Sequence, residues 1–371
     1  MLIKLKSQDK KYIGGDYLLL IAVILLSIIG TVFIYSASNY SAKATYGDAF
    51  FFVKKQVIGI CLGIVAMLFT ANFRYEKLKK FTTPICAISY VCLLLVFVPG
   101  IGVENYGARR WIGFGGLTIQ PSEIAKFAFI LFSAWYISKN PEKIKTFLGL
   151  LPILIVGLTT CLLIILEPNM SITVCMGLLM ISIAFAGGMR IKHLILLAIP
   201  AFVLGVLLIL LEPYRLSRLM AFIDPWANPK GEGYQLLQSL YALGSGGWFG
   251  VGLFNSRQKF AFLPFSESDF ILSVIGEEIG YVGLIAFFSL IGFIIYRGIL
   301  SAKRAKDTYG YFLALGITLI FGIQSVVNAL VVTGSIPPTG LPLPLVSSGN
   351  TSIIIFMAEM GIVFNVSKRV V

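Results

Sequence analysis

The strongest constraint on this chain is a series of ten apolar blocks, each about as long as a helix that crosses a bilayer. A membrane span needs roughly 17–25 mostly apolar residues. The blocks lie near 17–38, 56–71, 81–98, 121–138, 147–166, 170–187, 194–211, 270–296, 309–333 and 345–367. Only 13% of the 371 residues are charged, against about 25% in soluble domains. The sequence therefore predicts one all-α, polytopic membrane domain over 1–371, with about ten transmembrane helices.

The basic residues predict how these spans are oriented. Lys and Arg are about twice as numerous on the side of the N-terminus, the even-numbered loops and the C-terminus as on the opposite side. The positive-inside rule then places both termini on the cytoplasmic side of the membrane. It also accounts for the net charge of +13, so we expect no nucleic acid as a partner. The five cysteines lie within apolar blocks and indicate neither a disulfide nor a metal site.

One connection is too long for a simple bundle. Residues 212–268 separate spans seven and eight on the outer side, and loops of this length are usually functional or disordered. The segment is rich in aromatic residues and contains the helical pattern YQLLQSLYAL, which argues against disorder. We predict a large structured extracellular loop, with a re-entrant helix as one form that it could take. Irregular backbone at membrane depth requires protein or water around it, which implies a cavity.

The outer side has no histidine that could act as a base, because His193 lies at the cytoplasmic end of span seven. A base there must be a carboxylate, and a metal would be a hard cation such as Mg²⁺ or Mn²⁺. Asp269 is the best candidate, since it ends the long loop and opens span eight. Alternatively, Ser268 or Asp269 only caps that helix. Capping would lower the pKa of Asp269, whereas burial and the nearby Glu267 would raise it.

Other charged and polar residues have two interpretations each. Arg109, Arg110 and Trp111 suit a phosphate headgroup or form an interfacial anchor. Glu123 and Lys126 share a helix face, as an ion pair or as part of a polar cavity wall. Further acids lie within spans eight and ten at Glu277, Glu278 and Glu359. Of the adjacent pair in span eight, at most one is expected on the face of Asp269.

A second irregular segment runs from 333 to 352. Four prolines exclude a regular helix there, and a polar cluster follows at Ser347, Ser348 and Asn350. Hydroxyl-lined broken helices occur in bilayers beside water or substrate. The alternative is hydrogen bonding within the bundle.

These motifs together resemble the SEDS family of bacterial cell-wall polymerases, which includes FtsW, RodA and SpoVE. The resemblance rests on GARRWI, QPSEIAK, FIDPWANPKGEGYQLLQSLYALGSGGWFG, SESDFILSVIGEEIG and GSIPPTGLPLPLVSSGNTS, in this order along the chain. DPW at 224–226 and SRQK at 256–259 resemble the FtsW/SpoVE branch more than RodA. The family commonly has a glutamate where this chain has Phe265, and Glu267 lies two residues further on.

The resemblance implies a peptidoglycan glycosyltransferase that joins lipid II units on the outer face of the cytoplasmic membrane, in cell division or related septal wall synthesis. Lipid II is the disaccharide peptide linked to undecaprenyl pyrophosphate, and the pyrophosphate is the leaving group of an inverting reaction. The family's essential aspartate corresponds to Asp269. Gln235, Gln238 and Lys259 join the substrate-binding candidates, and the implied partners are a class B penicillin-binding protein and other divisome or elongasome proteins. The rival hypothesis is a lipid II flippase, which needs no base at Asp269.

Overall fold

We analysed a computed structural model that describes residues 14–105, 108–114, 117–211, 213–231, 233–260 and 262–368. The chain forms twelve helices and three strands within these ranges. The elements are α1 (Tyr17–Tyr46), α2 (Phe51–Asn72), α3 (Leu78–Leu95), β1 (Gly102–Asn105), β2 (Ala108–Phe114), β3 (Leu117–Ile119), α4 (Pro121–Lys139), α5 (Phe147–Leu166), α6 (Met170–Ala186), α7 (Ile191–Leu210), α8 (Pro213–Ile223), α9 (Tyr234–Gly246), α10 (Ile271–Lys303), α11 (Thr308–Val332) and α12 (Asn350–Ser367).

Each of the ten predicted spans overlaps one helix, from α1 to α7 and from α10 to α12. In the described part of the chain, six helices are long and apolar enough to cross a membrane, namely α1, α2, α3, α5, α10 and α11. Three more, α6, α7 and α12, contain shorter apolar stretches. The fold is therefore that of a multi-pass helical membrane protein, and the count of ten spans stays a prediction.

Several predicted boundaries are wrong by a few residues. The first span was ended at 38 and the eighth at 296, but α1 runs to Tyr46 and α10 to Lys303. The last span was placed from 345, but α12 begins at Asn350. The preceding residues are irregular because of the prolines, and Leu345 has a φ of 65°.

The connection between α3 and α4 contains a small antiparallel sheet with the order β1-β2-β3. Val103 of β1 lies opposite Trp111 of β2, and Ile112 of β2 lies opposite Ile119 of β3. The sequence analysis predicted no strands here. The Thr351 hydroxyl of α12 donates a hydrogen bond to the Thr118 carbonyl at 2.6 Å, which ties the sheet to the start of α12.

Both described ends of the chain lie at one end of the bundle. The backbone N–H of Asp16, just before α1, donates to Ser367 Oγ at the end of α12 at 2.9 Å. Arg297, in the last part of α10, donates from Nε to Asp16 Oδ1 at 3.0 Å. We call this the inner end, following the predicted orientation, and the end that holds the sheet, α8 and α9 the outer end.

The long loop predicted over 212–268 is structured where the structure describes it. It contains α8 and α9, and α9 coincides with the predicted helical pattern. Glu212 and Glu232 lie outside the described residues.

The rest of the loop pairs with a break in α10. Gly280 has φ 66° and ψ −171°, so α10 is interrupted there. The backbone bonds across the break are Val251 N to Glu277 O, Gly252 N to Glu278 O, Tyr281 N to Gly247 O and Val282 N to Trp248 O, all between 2.9 and 3.1 Å. Backbone groups freed by the break are thus satisfied by protein, as the apolar environment requires.

Candidate active site at the outer end

The candidate site centres on Asp269, in the last residues before α10. Asp269 is half-buried, and Phe270 occupies the N-cap position of α10 without a side-chain capping bond. The alternative that Ser268 or Asp269 caps this helix is therefore not realised. The carboxylate is not used by the helix end.

Three consecutive carbonyl groups hold the backbone of this segment. The Glu267 carbonyl accepts from the Ser348 N–H at 2.9 Å, and the Ser268 carbonyl from Ser347 Oγ at 2.6 Å. The Asp269 carbonyl accepts from Asn328 Nδ2 at 2.9 Å. The segment before α10 is thus fixed against α11 and the region that precedes α12.

The proline-rich segment reaches the carboxylate at Gly340. This residue has a φ of 69°, and a Cβ placed on it would lie 3.1 Å from Asp269 Oδ2. The absence of a side chain at Gly340 therefore lets the backbone approach the carboxylate closely.

The pKa of Asp269 is raised to about 6. Burial is the main cause, because it disfavours the charged form. The positive charges of Arg110 and Arg218 oppose this effect, and the negative charge of Glu267 adds to it. Burial also raises the pKa of Glu267. Of the two opposing expectations for Asp269, burial prevails.

The two adjacent arginines of β2, Arg109 and Arg110, make different contacts. The register between β1 and β2 shifts between Val103 and Glu104, opposite these two arginines. Arg109 is exposed and pairs with Glu104 at 3.1 Å. Arg110 donates from Nε to the Glu167 carbonyl at 3.4 Å, and its charge acts on Asp269. The expectation of a joint arginine pair is thus replaced by one arginine at the site.

Glu167, at the end of α5, is a further acid beside Arg110. It is buried, and both of its carboxylate oxygens are without a hydrogen-bond partner among the described residues. Burial raises the pKa of Glu167 to about 8, although the charge of Arg110 lowers it. A carboxyl with this pKa is mostly protonated at neutral pH, which removes one negative charge from the neighbourhood of the site.

Arg218 is a site residue that the sequence analysis missed. It lies on α8, and its Nη1 donates to the Pro338 carbonyl at 3.5 Å. In the sequence, Arg218 is one arginine of a short helix in an outer loop, a pattern that many interfacial residues share. Only the packing of α8 near the proline-rich segment brings it to Asp269.

Glu123 and Lys126 form the predicted ion pair. Lys126 Nζ donates to Glu123 Oε1 at 2.8 Å, and both side chains are buried in α4. Lys126 also lies 5.4 Å from the ring of Phe356 in α12. Glu359, one turn further along α12, is buried as well. These charges belong to the interior of the bundle.

Glu277 and Glu278 bind the long loop. The N–H of Arg257 donates to Glu277 Oε1 at 3.0 Å, and the N–H of Ser256 to Glu278 Oε1 at 3.3 Å. Ser36 of α1 also donates to Glu278. Both carboxylates are buried, and both accept hydrogen bonds from the loop because the segment 255–258 packs against this part of α10.

The remaining predicted residues are spread around the site. Ser347 is buried, and its hydroxyl makes the bundle-internal bond that was the alternative prediction. Gln235 is half-buried and donates to the Pro264 carbonyl at 3.3 Å, beside a groove that Tyr234 also lines. Buried Lys259 donates to the Phe254 carbonyl.

The last four predicted site residues are Trp111, Gln238, Ser348 and Asn350. Trp111, Gln238 and Ser348 are half-buried. The side chain of Asn350 lies outside the described residues.

Among the described residues, no group of three or more His, Cys, Asp or Glu side chains is placed to hold a metal ion.

The fold and the site together define a class: a multi-pass membrane protein with a carboxylate of raised pKa, on which the charges of two arginines act, at one end of its bundle. A family model described as "Cell cycle protein", which covers FtsW, RodA and SpoVE, matches residues 16–370. The chain belongs to this family.

Two curated relatives illustrate the relationship. The chain is 39% identical over 360 residues to stage V sporulation protein E of Bacillus subtilis, covering 96% of this chain and 98% of the relative. It is 38% identical over 358 residues to the probable peptidoglycan glycosyltransferase FtsW of Geobacter sp. (strain M18), covering 96% and 97%. These names agree with the predicted FtsW/SpoVE branch.

Solved structures share the fold. A chain from a peptidoglycan synthase complex, described as coordinating polymerization and crosslinking, is similar with a TM-score of 0.80 and 25% identity, covering 96% of this chain and 98% of that chain. The rod shape determining protein RodA of Thermus thermophilus is similar with a TM-score of 0.70 and 23% identity, covering 96% and 97%. The membrane bundle is thus the family's fold over nearly its whole length.

Proposed function

We propose that this chain is a peptidoglycan glycosyltransferase that polymerises lipid II on the outer face of the bacterial cytoplasmic membrane, in cell division or related septal wall synthesis. The observation that carries the proposal is the half-buried Asp269 carboxylate at the outer end, with its pKa raised to about 6 and with the charges of Arg110 and Arg218 acting on it. The name of the FtsW relative supports the same activity.

Asp269 is the proposed general base. A base must be ionised at working pH and yet basic enough to take a proton, and a pKa near 6 meets both conditions at neutral pH. Asp269 removes the proton from the 4-hydroxyl of the acceptor N-acetylglucosamine. That oxygen attacks the anomeric carbon of the donor N-acetylmuramic acid from the face opposite its α-linked pyrophosphate. The C–O bond to pyrophosphate breaks, and an inverted β-1,4 bond forms.

The leaving group needs its developing negative charge neutralised rather than a proton. Arg110 and Arg218 are the proposed groups, since both charges already act on Asp269 and guanidinium binds phosphate oxygens in pairs. We do not assign this role to Lys126, because it is paired with Glu123 inside the bundle. Because pyrophosphate leaves without protonation, one essential carboxylate suffices where glycoside hydrolases need two.

In this proposal, a divalent cation would enter the site bound to the pyrophosphate of the substrate. Mg²⁺ is commonly held through substrate phosphates with few protein ligands. The described acids do not form a ligand cluster, so we assign no step to a protein-bound metal.

The proposed partner is a class B penicillin-binding protein, which supplies the transpeptidase, together with other divisome or elongasome proteins. Similarity to a chain of a peptidoglycan synthase complex supports this proposal.

The test is polymerisation of purified lipid II by the protein with its partner, in Mg²⁺ or Mn²⁺, with glycan chains read on a gel. We expect Asp269→Asn to lose roughly 10²–10⁴-fold in rate, the range typical of general-base catalysis. Asp224→Asn is the matched control, because Asp224 is an outer-loop acid whose Oδ1 accepts from the N–H groups of Trp226 and Ala227.

Full polymerisation by Asp269→Asn would contradict the assigned base. A protein that moves lipid II between leaflets of vesicles but makes no glycan, with or without Asp269, would instead support the flippase hypothesis.

A further inference from the structure

Asn328 of α11 holds two separate segments of the site with one side-chain amide. Its Nδ2 donates to the Asp269 carbonyl at 2.9 Å and to the Leu341 carbonyl at 2.7 Å. The residue is fully buried. We propose that Asn328 is a positioning residue, which sets the distance between the Asp269 carboxylate and the proline-rich wall opposite it.

The chemistry of the amide makes this role specific. An NH₂ group offers two donors on one nitrogen, so it can bridge two carbonyl oxygens, whereas a hydroxyl has one donor and an ionised carboxylate has none. Asn328 is buried, and a carbonyl left without a hydrogen-bond partner in such surroundings would cost free energy. Asn328 satisfies the carbonyls of two segments that are otherwise far apart in the chain.

The position of Leu341 shows what the bridge controls. Leu341 follows Gly340, whose backbone lies against Asp269 Oδ2. The amide of Asn328 therefore joins the backbone of the proposed base to the backbone that limits the space beside its carboxylate. Ser347 completes the arrangement, because its hydroxyl donates to the Ser268 carbonyl at 2.6 Å and accepts from the Leu343 N–H at 2.8 Å.

Loss of the bridge should change both geometry and charge environment at Asp269. A general base must lie within hydrogen-bond reach of the hydroxyl that it deprotonates, and a misplacement of about 1 Å can cost roughly 100-fold in rate. The charged groups that face Asp269 are Arg110 from β2, Arg218 from α8 and the neighbouring Glu267. A released segment lets water reach the carboxylate and weakens the burial that raises its pKa.

This inference rests on the proposed function, so its experiment has one readout that needs activity and one that does not. The variant is Asn328→Leu, which keeps the approximate volume and removes both donors. In the lipid II assay we expect kcat to fall about 10–100-fold and KM to stay nearly unchanged. The acid-side midpoint of the pH profile should move below that of the wild type.

The matched control is Asn365→Leu. Asn365 is also buried, and its amide binds two backbone groups, the Ala71 carbonyl at 2.8 Å and the Tyr75 N–H at 3.1 Å, at the inner end. A general loss of stability would affect both variants alike. Only a positioning role moves kcat and the pH midpoint in Asn328→Leu alone.

The second readout is hydrogen–deuterium exchange of the full chain in lipid nanodiscs. Asn328→Leu should speed exchange in peptides covering 266–270 and 341–348, and Asn365→Leu should not. If the wild type makes no glycan, the proposed function fails, while the exchange result still decides whether Asn328 holds the segment.

Ser347→Ala covers the case in which Asn328→Leu does not fold. It removes one bond to the same segment and should shift the pH midpoint and exchange in the same direction, whereas Ser325→Ala should not. Ser325 is buried and donates only within its own helix, to the Phe321 carbonyl at 2.8 Å. Wild-type kcat and pH midpoint, or wild-type exchange, in a folded Asn328→Leu or Ser347→Ala protein would overturn the proposal.

Discussion

At the scale of single residues, the site depends on opposing influences on one carboxyl group. Burial raises the pKa of Asp269 to about 6, and the charges of Arg110 and Arg218 limit the rise. The two arginines therefore have two tasks in the proposed reaction: they keep the base ionised at neutral pH, and they neutralise the leaving pyrophosphate.

The pH dependence of activity follows from this balance. The ionised form of Asp269 is the active one, so the rate should fall as pH drops through about 6. Arg110→Gln removes a charge that lowers the pKa, so the midpoint should move to higher pH and the rate at pH 7 should decrease. The measurement is the rate of glycan synthesis from pH 5 to 8 for both proteins.

Arg109→Gln is the control for this prediction. Arg109 is exposed and pairs with Glu104, and its charge is not among those that act on Asp269, so whatever its effect on the rate, the midpoint should stay at the wild-type value. A common shift in both variants would mean that the change in net charge, and not the contact with Asp269, sets the midpoint.

At the scale of elements, the break in α10 positions the long loop. Gly280 and Gly250 meet backbone to backbone: a Cβ on Gly280 would lie 2.3 Å from Gly250 N, and one on Gly250 would lie 2.1 Å from the Glu278 carbonyl oxygen. Both residues have positive φ values, 66° and 79°. The junction therefore depends on the absence of side chains at both positions.

Gly280→Ala or Gly250→Ala should destabilise this junction. The left-handed backbone alone costs roughly 1–3 kcal/mol for a residue other than glycine, and the contact with backbone adds to it. We expect a lower melting temperature in detergent and a loss of polymerisation. Gly244→Ala is the control, because Gly244 lies on α9 with open space around its Cα, and alanine should raise helix stability by about 0.5–1 kcal/mol. An unchanged melting temperature in the first two variants would contradict the backbone contact.

The small sheet shows what an element-level reading of the sequence missed. Gly115 and Gly116 separate two runs of β-forming residues, a recognised signal for a tight hairpin. The signal was present, but each run is short, and short apolar runs are ambiguous between strand and loop. In the structure, Arg110 and not Arg109 contributes its charge to Asp269.

At the scale of the whole molecule, the arrangement of the helices brings distant segments together. The start of α1 and the end of α12 meet through Asp16 and Ser367, which agrees with an even number of membrane crossings. Asp16 is buried at this end of the bundle. Lys306, which lies at the same end between α10 and α11, is exposed.

The predicted orientation can be tested on intact cells. Lys230 is exposed after α8 at the outer end, and Lys306 is exposed at the inner end. With cytoplasmic termini, Lys230→Cys should react with a membrane-impermeant maleimide in intact cells, and Lys306→Cys only after permeabilisation. The wild type, with its native cysteines within apolar blocks, measures the background. The reverse labelling pattern would contradict the orientation drawn from Lys and Arg.

The sequence alone determined the class of fold, the approximate spans and the choice of Asp269. These properties depend on the local sequence: apolar length decides whether a helix crosses a bilayer, and the position of Asp269 at the junction of the long loop and span eight can be read from the sequence. The buried Glu123–Lys126 pair was likewise predictable, because its two members are one helical turn apart.

Only the tertiary structure decided which groups surround that acid. Arg218 of α8, Asn328 of α11 and Gly340 of the proline-rich segment are all far from Asp269 along the chain, and the fold brings all three to the segment that contains Asp269. No local pattern encodes such a meeting, since it results from the packing of α8, α10 and α11 against the proline-rich segment. The pKa of Asp269 depends on the same packing, because burial and the distance to charges are properties of the folded bundle.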